Sequence, residues 1–241
     1  MRYMGELYSY SMGTMLFQAQ GLSKRFGRIQ ALTGVTFHVR AGEVLGLIGP
    51  NGAGKSTLFE CLAGVLPLDS GQIIASEERS SLLFYVPDGI APWPAQSVRW
   101  ALDFTIGFLG GRANVLDQVV DQMDLRPLLD QPMGTLSKGQ RKRALLAIGL
   151  LTPQPALLID EPFEGLDLRQ ARDIAMALRA HAARGRTLFL SIHQISDAAR
   201  FCDRFVLLNR GRVRGEGTVQ ELAALANHPG QDLEEVFLAL T

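Results

Sequence analysis

A stretch from Gly49 to Thr57 has the residue types and spacing of a loop that binds phosphate. It reads Gly49-Pro50-Asn51-Gly52-Ala53-Gly54-Lys55-Ser56-Thr57 and matches the spacing G-x-x-x-x-G-K-[ST] in full. Glycines let several backbone N–H groups converge on one anion, and a helix that starts there adds partial positive charge. Lys55 can reach the β- and γ-phosphates, and the Ser56 hydroxyl can bind Mg²⁺. The stretch therefore predicts a nucleoside triphosphate site.

The residues on either side support this prediction. Val44 to Ile48 is a short apolar run typical of a buried strand, and Thr57 to Ala63 has apolar residues at helical spacing. A phosphate loop needs this placement, after a strand and at the start of a helix. The alternative is an accidental glycine-rich turn.

Two adjacent acids, Asp160 and Glu161, follow four apolar residues and precede Pro162. A carboxylate at the end of a buried strand suits a magnesium ion held beside phosphates. We expect Asp160 to hold the ion and Glu161 to polarise the attacking water. Two acids at a strand end can instead cap a helix.

Two further positions can do chemistry but are less specific. His193 ends the strand Thr187 to Ile192 and could reach the γ-phosphate, although a lone histidine is as often structural. Ser137 and Gly139 precede a predicted helix, Arg141 to Leu151, and could form a second anion site. By spacing alone, a simple helix N-cap is the stronger interpretation there.

Composition excludes several classes of protein. The chain has 241 residues, with 47% hydrophobic and 20% charged, and its 24 basic and 24 acidic residues give zero net charge. This balance is that of a soluble globular protein and does not favour nucleic acid as a partner. Two cysteines, Cys61 and Cys202, are too few for a disulfide scaffold, and we expect both to be buried thiols. No apolar run approaches the roughly 20 residues that span a bilayer, and no secretory signal is present, so we expect a cytoplasmic chain.

Alternating strands and helices predict the fold class. We expect an α/β P-loop NTPase with a mostly parallel core sheet, an antiparallel β subdomain and an inserted α-helical subdomain at about 90–150. Residues 1–15 read as a tail, and helices at about 218–241 end the chain. Lys24 to Gly27 is predicted to be a turn after the first strand.

With these pieces in this order, the chain resembles the nucleotide-binding subunit of ATP-binding-cassette (ABC) transporters. The resemblance covers about residues 16–241 and rests on the phosphate loop, Leu136 to Gln140, Asp160 to Pro162, Gly165 to Asp167, and His193. It implies ATP and Mg²⁺ as cofactors and a separate integral-membrane permease as partner. It also implies a head-to-tail homodimer or heterodimer that holds two ATP molecules between its subunits, peripheral to the inner face of the cell membrane.

The resemblance also implies roles for individual residues. In the family's pattern the adenine stacks on an aromatic residue, the phosphates and magnesium contact the loop, and a signature segment closes over ATP bound to the opposite subunit. The matching positions are Phe26 for adenine; Lys55, Ser56 and Thr57 for phosphate and magnesium; Glu161 as catalytic glutamate; His193 as switch histidine; Ser137, Gly139 and Gln140 in the signature; and Asp167 in the loop between subunits.

Three positions depart from the family's pattern. Asp88 stands where the family has a glutamine that senses magnesium, and we expect it to contact the ion directly or through water. Lys138 replaces a signature glycine, and its ammonium lies either near the triphosphate or in solvent. Glu164 replaces a serine. Three features make the chain similar to the exporter branch whose membrane subunits are separate polypeptides. They are the acid at position 88, Lys138 in the signature, and the ending Leu233 to Thr241.

Two other functions stay open at this point. One is a soluble ABC-type ATPase that acts on nucleic acid or ribosomes. Proteins of that kind usually carry two cassettes, long coiled coils or basic extensions, which this sequence lacks. The other is a nucleotide-binding regulator that hardly hydrolyses ATP, which the intact Lys55, Asp160, Glu161 and His193 oppose.

Overall fold

The computed structural model of the chain describes residues 11–75, 77–111, 113–227 and 232–241. Most of the predicted tail, residues 1–10, lies outside the described residues. The rest of the tail leads into the first strand and is joined to the body by backbone hydrogen bonds between Gly13, Thr14 and Ala41 (2.8 and 2.9 Å).

The strands of the described residues form two sheets. They are β1 (Met15–Phe26), β2 (Ile29–Arg40), β3 (Val44–Ile48), β4 (Ser70–Ala75), β5 (Leu83–Val86), β6 (Ala156–Asp160), β7 (Thr187–Ile192), β8 (Arg204–Asn209) and β9 (Arg212–Gly217).

The larger sheet has the order β5-β6-β7-β3-β8-β9 and is parallel except for β9. Every residue of β3, β6 and β7 is buried, as expected for strands covered on both faces. The carboxyl ends of these three strands meet at one edge of the sheet. That edge therefore brings the phosphate loop, the acidic pair and His193 together.

The smaller sheet is antiparallel, in the order β2-β1-β4, as predicted. The predicted turn from Lys24 to Gly27 is wrong. β1 continues to Phe26, which pairs with Ile29 of β2, and only Gly27 and Arg28 form the turn. Gly27 has φ +57°, the left-handed conformation that a two-residue hairpin loop requires.

Helices cover both faces of the larger sheet. They are α1 (Lys55–Ala63), α2 (Arg79–Leu82), α3 (Val98–Leu109), α4 (Leu116–Gln122), α5 (Lys138–Leu151), α6 (Leu168–Ala182), α7 (Ile195–Phe201), α8 (Val219–Leu225) and α9 (Leu233–Leu240), with 3₁₀ turns at Ala113–Val115, Arg126–Leu128 and Met133–Thr135. None of the helices in the described ranges is long and apolar enough to cross a membrane.

Side chains of β3 point alternately into two apolar cores, one on each face of the larger sheet. Val44 and Ile48 join the core formed with α3 to α7, whereas Leu45 and Leu47 join the core formed with α1 and the antiparallel sheet. The fold predicted from the sequence is therefore confirmed: a mostly parallel sheet, an antiparallel β subdomain, and helices inserted between β5 and β6. Cys61 and Cys202 are both buried, as predicted.

Candidate nucleotide-binding site

The loop between β3 and α1 is held in shape by the β-hairpin behind it and by its own glycines. Ala53 N–H donates to the Pro50 carbonyl (3.1 Å), and Gly211 N–H donates to the Ala53 carbonyl (2.9 Å). Gly54 caps α1 with φ +104°, and a Cβ there would lie 2.6 Å from the Ala31 carbonyl oxygen. Only glycine fits that combination of conformation and space. The loop is therefore a preformed cradle at a helix N-terminus, where an anion is favoured.

Lys55 lies inside this cradle. Its side chain is 7% exposed, and its ammonium donates to the Gly49 carbonyl at 2.8 Å and contacts the Pro50 carbonyl at 3.4 Å. Glu161 Oε1 lies 3.7 Å from the same nitrogen. The next residue, Ser56, is exposed to the cavity side, so its hydroxyl is available to a ligand. This is the arrangement that a triphosphate needs.

A Gly49→Ala substitution is expected to disrupt the cradle. A Cβ at residue 49 would lie 2.2 Å from the Leu208 carbonyl oxygen and 3.0 Å from the Ala53 Cβ, so the backbone must move. We expect the free energy of unfolding to fall by about 1–3 kcal/mol, the usual cost of overpacking. ATP affinity is expected to drop as well, because the loop backbone is displaced. Urea unfolding and ATP titration measure both.

The matched control is Gly107→Ala in α3, where a Cβ meets no atom within 4 Å and φ is not positive. Alanine is the better helix former, so this variant is expected to be as stable as the parent or slightly more so. If the two variants were equally stable, the close packing of Gly49 against the Leu208 carbonyl would not be important for stability.

Asp160 is buried at the end of β6 and is held by two neutral donors. The Ser191 hydroxyl donates to Oδ1, and the Tyr85 hydroxyl lies 3.4 Å from Oδ2. Burial, followed by the nearby Asp160 carboxylate, raises the pKa of Tyr85 far above its usual range, so the phenol stays protonated. The carboxylate is thereby oriented without being neutralised, as a magnesium ligand requires. No local pattern in the sequence marks Ser191 or Tyr85 as a partner of Asp160.

Glu161 and His193 meet across the ends of β6 and β7. His193 Nδ1 lies 3.1 Å from Glu161 Oε2, and the Glu161 backbone N–H donates to the Ser191 hydroxyl at 3.0 Å. Glu161 has φ +48°, a left-handed conformation that is uncommon for a residue with a side chain. Backbone strain of this kind is often found at functional sites. The two adjacent carboxylates thus contact different side chains, Asp160 those of Ser191 and Tyr85 and Glu161 that of His193.

These groups line one cavity of about 470 Å³. Residues singled out in the sequence supply most of its wall, together with Glu164 and the start of β2, which the sequence analysis did not assign to the site. The lining is Ile29, Gln30, Ala31, Pro50, Asn51, Gly52, Ala53, Gly54, Lys55, Ser56, Thr57, Asp88, Asp160, Glu161, Glu164 and His193.

Some of the predicted site residues do not line this cavity. Phe26 lies next to it, 45% exposed at the end of β1 and paired with the lining residue Ile29. Gly49 lies behind the loop and contributes its carbonyl to Lys55. The signature residues Ser137, Gly139 and Gln140 lie at the start of α5, outside the lining.

The start of α5 is a fully formed capping box. The Ser137 hydroxyl accepts from Gln140 N–H (3.3 Å), and the Gln140 side chain accepts from Ser137 N–H (2.9 Å). The Lys138 side chain is 54% exposed, and its ammonium pairs with the Glu164 carboxylate. The two departures from the family's pattern therefore contact each other. Gly139 allows this packing, since a Cβ there would lie 2.8 Å from the Gly165 carbonyl oxygen.

Asp88 is likewise paired with a residue that the sequence analysis did not single out. Its carboxylate accepts from the ammonium of Lys142. Burial alone would raise the pKa of Asp88, but the hydrogen bond and charge of Lys142 outweigh it, and the net pKa lies below its usual range. The only sequence signal for Lys142 is its place two residues after the signature segment.

The oxygen donors at this edge fit a magnesium ion. A serine hydroxyl and one buried carboxylate, Ser56 and Asp160, are the hard ligands that Mg²⁺ prefers. The described residues contain no cluster of three or more acidic, histidine or cysteine side chains that could hold a metal by themselves. Mg²⁺ usually keeps waters and takes further ligands from a substrate phosphate.

Comparison with known sequences identifies the family. The family described as ABC transporter matches residues 32–164, more than half of the chain. The chain is 33% identical to the hemin import ATP-binding protein HmuV of Bradyrhizobium diazoefficiens, covering 86% of this chain and 84% of that protein. It is 32% identical to the Nod factor export ATP-binding protein I of Rhizobium sp., covering 94% and 78%.

The chain is also 30% identical to the probable multidrug ABC transporter ATP-binding protein YbhF of Escherichia coli, covering 95% of this chain but only 42% of that protein. Among solved structures, one described as the ATP binding subunit of an ABC transporter superposes with a TM-score of 0.86 at 26% identity, covering 93% of this chain and 99% of that one. The resemblance inferred from the motifs is thus confirmed, and the chain belongs to the ABC transporter family, whose ATP-binding subunits bind and hydrolyse ATP.

Proposed function

We propose that two copies of this chain, or this chain and a related one, close head to tail over two MgATP molecules and power export through a separate membrane permease. One observation carries the proposal. The phosphate loop, the acidic pair and His193 line one cavity within a single subunit, yet the signature residues Ser137 and Gly139 lie outside it. In a head-to-tail pair, the signature of each subunit faces the ATP bound to the other subunit. The exposed start of α5 then has an anion to bind.

In this proposal each cavity residue has a defined task. The loop N–H groups and Lys55 bind the triphosphate, with Phe26 beside the base. Ser56 and Asp160 hold Mg²⁺, and Asp88 is an outer contact because its carboxylate is already paired with Lys142. When bound, the ion neutralises charge that develops on the phosphates.

The proton chemistry belongs to Glu161 and His193. Glu161 orients and deprotonates the attacking water, and His193, held by Glu161 at 3.1 Å, contacts the γ-phosphate. Hydrolysis then weakens the closed dimer, because the triphosphate contributes affinity only to that state.

An exposed aromatic stripe on α3 supports a membrane partner. Trp100 stacks on Phe104 and Phe104 on Phe108, with ring centroids 4.9 and 5.2 Å apart, and Trp93 packs edge-on against Trp100. Phe108 is 73% exposed. Contiguous exposed apolar surface marks interaction sites. We propose that this stripe contacts a cytoplasmic segment of the permease and places the chain at the inner face of the membrane.

The direction of transport is the finer part of the proposal. Relatives named for export and for import both match, so the direction rests on Asp88, Lys138 and the C-terminal segment seen in the sequence. Nothing in the fold or the comparisons favours the alternative of an ATPase that acts on nucleic acid or ribosomes.

A signature variant tests the head-to-tail pairing. In a Glu161→Gln background, MgATP is expected to convert the chain to a dimer, measured as a doubled mass by light scattering. Adding Ser137→Arg is expected to abolish the dimer, because a bulky side chain then occupies the signature face. ATP binding by the monomer is expected to stay within about threefold, since Ser137 is outside its own cavity.

The matched control is Thr218→Arg, which removes the same type of capping box at the start of α8. Both variants lose a cap worth about 1 kcal/mol, but only the signature variant is expected to lose the dimer. A Ser137→Arg chain that still dimerised with MgATP would refute the proposed pairing.

A further inference from the structure

We propose that Lys142 is a positioning residue of the ATP site: it fixes and neutralises Asp88, and this allows a cavity with an acidic wall to bind a triphosphate. The inference rests on the proposed function only in taking ATP as the ligand. It assigns a role to a residue outside the phosphate loop, the acidic pair and the signature.

Lys142 ties three segments of the site together. It lies in the second turn of α5, and its ammonium donates to Asp88 and, at 3.0 Å, to the backbone carbonyl of Asp160. Asp88 belongs to the segment that leaves β5, and Asp160 ends β6. One side chain thus joins the helix that follows the signature to both of these segments.

The Lys142 side chain is only 2% exposed, whereas Asp88 is 26% exposed and faces the cavity. An ammonium buried to this degree needs an anionic partner, and Asp88 is the carboxylate it contacts. The Asp88 carboxylate therefore contacts the buried Lys142 ammonium on the side away from the cavity.

The charge of the cavity wall explains why this pairing matters. Four carboxylates line the cavity. Among the described residues, Lys55 is the one lysine or arginine in that lining. The carboxylates are Asp88, Asp160, Glu161 and Glu164. Glu164 is paired with Lys138, and Asp88 with Lys142. If Lys142 were removed, Asp88 would add an uncompensated negative charge beside the triphosphate.

Binding of ATP in the presence of EDTA tests the inference without hydrolysis. We expect Lys142→Met to weaken ATP binding by about tenfold, because a like charge then faces the ligand. The double variant Asp88→Asn/Lys142→Met removes both charges and is expected to bind ATP at least about threefold more tightly than Lys142→Met. Lys142→Arg keeps the cation and is expected to bind ATP within about threefold of the parent.

Arg143→Met is the matched control for loss of a buried cation from the same helix. Arg143 is nearly buried and is paired with Asp124 and the Met123 carbonyl, away from the ATP cavity. The Arg143→Met variant is expected to have a lower melting temperature than the parent, while its ATP affinity stays within about threefold of the parent.

Magnesium dependence provides a second readout. If Lys142 holds Asp88, the Mg²⁺ concentration that half-saturates ATP binding is expected to rise by less than about tenfold in the double variant, because Asp88 is then an outer contact of the ion and not a direct ligand. A rise of about tenfold or more would identify Asp88 as a direct metal ligand and overturn the inference.

Two other results would also overturn it: a Lys142→Met chain that binds ATP as tightly as the parent, or a double variant that binds as weakly as Lys142→Met. If Lys142→Met does not fold, the double variant and Lys142→Arg test the inference. The inference requires both of them to fold and to bind ATP. Failure of the parent to bind ATP would refute the proposed function as well, whereas these variant results affect only the role of Lys142.

Discussion

Replacing Glu161 with glutamine is expected to lower the rate of ATP hydrolysis by about 10²- to 10⁴-fold while ATP binding is retained. Glutamine has the same shape but cannot accept a proton. The carboxylate lies 3.1 Å from His193 and 3.7 Å from the Lys55 ammonium. In the proposed function this puts it beside the γ-phosphate and its attacking water. Steady-state phosphate release and a separate ATP titration measure the two effects.

Glu77→Gln is a suitable control, because Glu77 is exposed and lies outside the cavity. It is expected to hydrolyse ATP at the parent rate. If Glu161→Gln did so too, the water-activating role would have to be assigned to another residue. If Glu161→Gln instead failed to bind ATP, its role would be in binding and not in the chemical step.

Replacing Arg204 with methionine is expected to lower the free energy of unfolding by about 3–5 kcal/mol. Arg204 is 6% exposed, begins β8, and links the residue just before β3 to strand β9. Its guanidinium lies 3.0 Å from Glu43 and 2.8 Å from Glu216, which in turn lies 2.7 Å from His38. Removing the cation leaves the buried Glu43 carboxylate without its counter-charge, which is the costly way to break such a network.

Urea unfolding monitored by circular dichroism measures this loss. Arg212→Met, in the same hairpin but exposed, is expected to change stability by less than about 0.5 kcal/mol. A similar small change for Arg204→Met would mean that the network contributes little. Glu43→Gln/Arg204→Met is expected to recover part of the loss, because the buried Glu43 charge is then removed together with its counter-charge.

Local patterns in the sequence were sufficient to predict the fold and most of the cavity. β3, β6 and β7 were predicted with the observed bounds, because strands buried on both faces are short, uninterrupted apolar runs. Their order along the chain, with the phosphate loop after β3 and the acids after β6, placed Lys55 and Asp160 at one sheet edge.

Boundaries and long-range partners were harder to predict. The turn predicted at Lys24 to Gly27 was wrong because pairing with β2 extends β1 to Phe26, and polar residues in a strand that is exposed at its end resemble a turn. The uses of Lys138 and Glu164 could not be assigned from the sequence, because 25 residues separate two side chains that meet only through the packing of Gly139 against Gly165.

The sequence by itself determined which groups can do chemistry: a glycine-rich loop with Lys55, an acid pair, and a serine–glycine helix start. Each is a local pattern, set by backbone conformation and by residue type at fixed spacing. The tertiary structure decided which charges neutralise one another, as Asp88 with Lys142 and Glu43 with Arg204. Those pairs depend on where separate segments meet and how deeply they are buried, and neither is encoded in the spacing of residues along the chain.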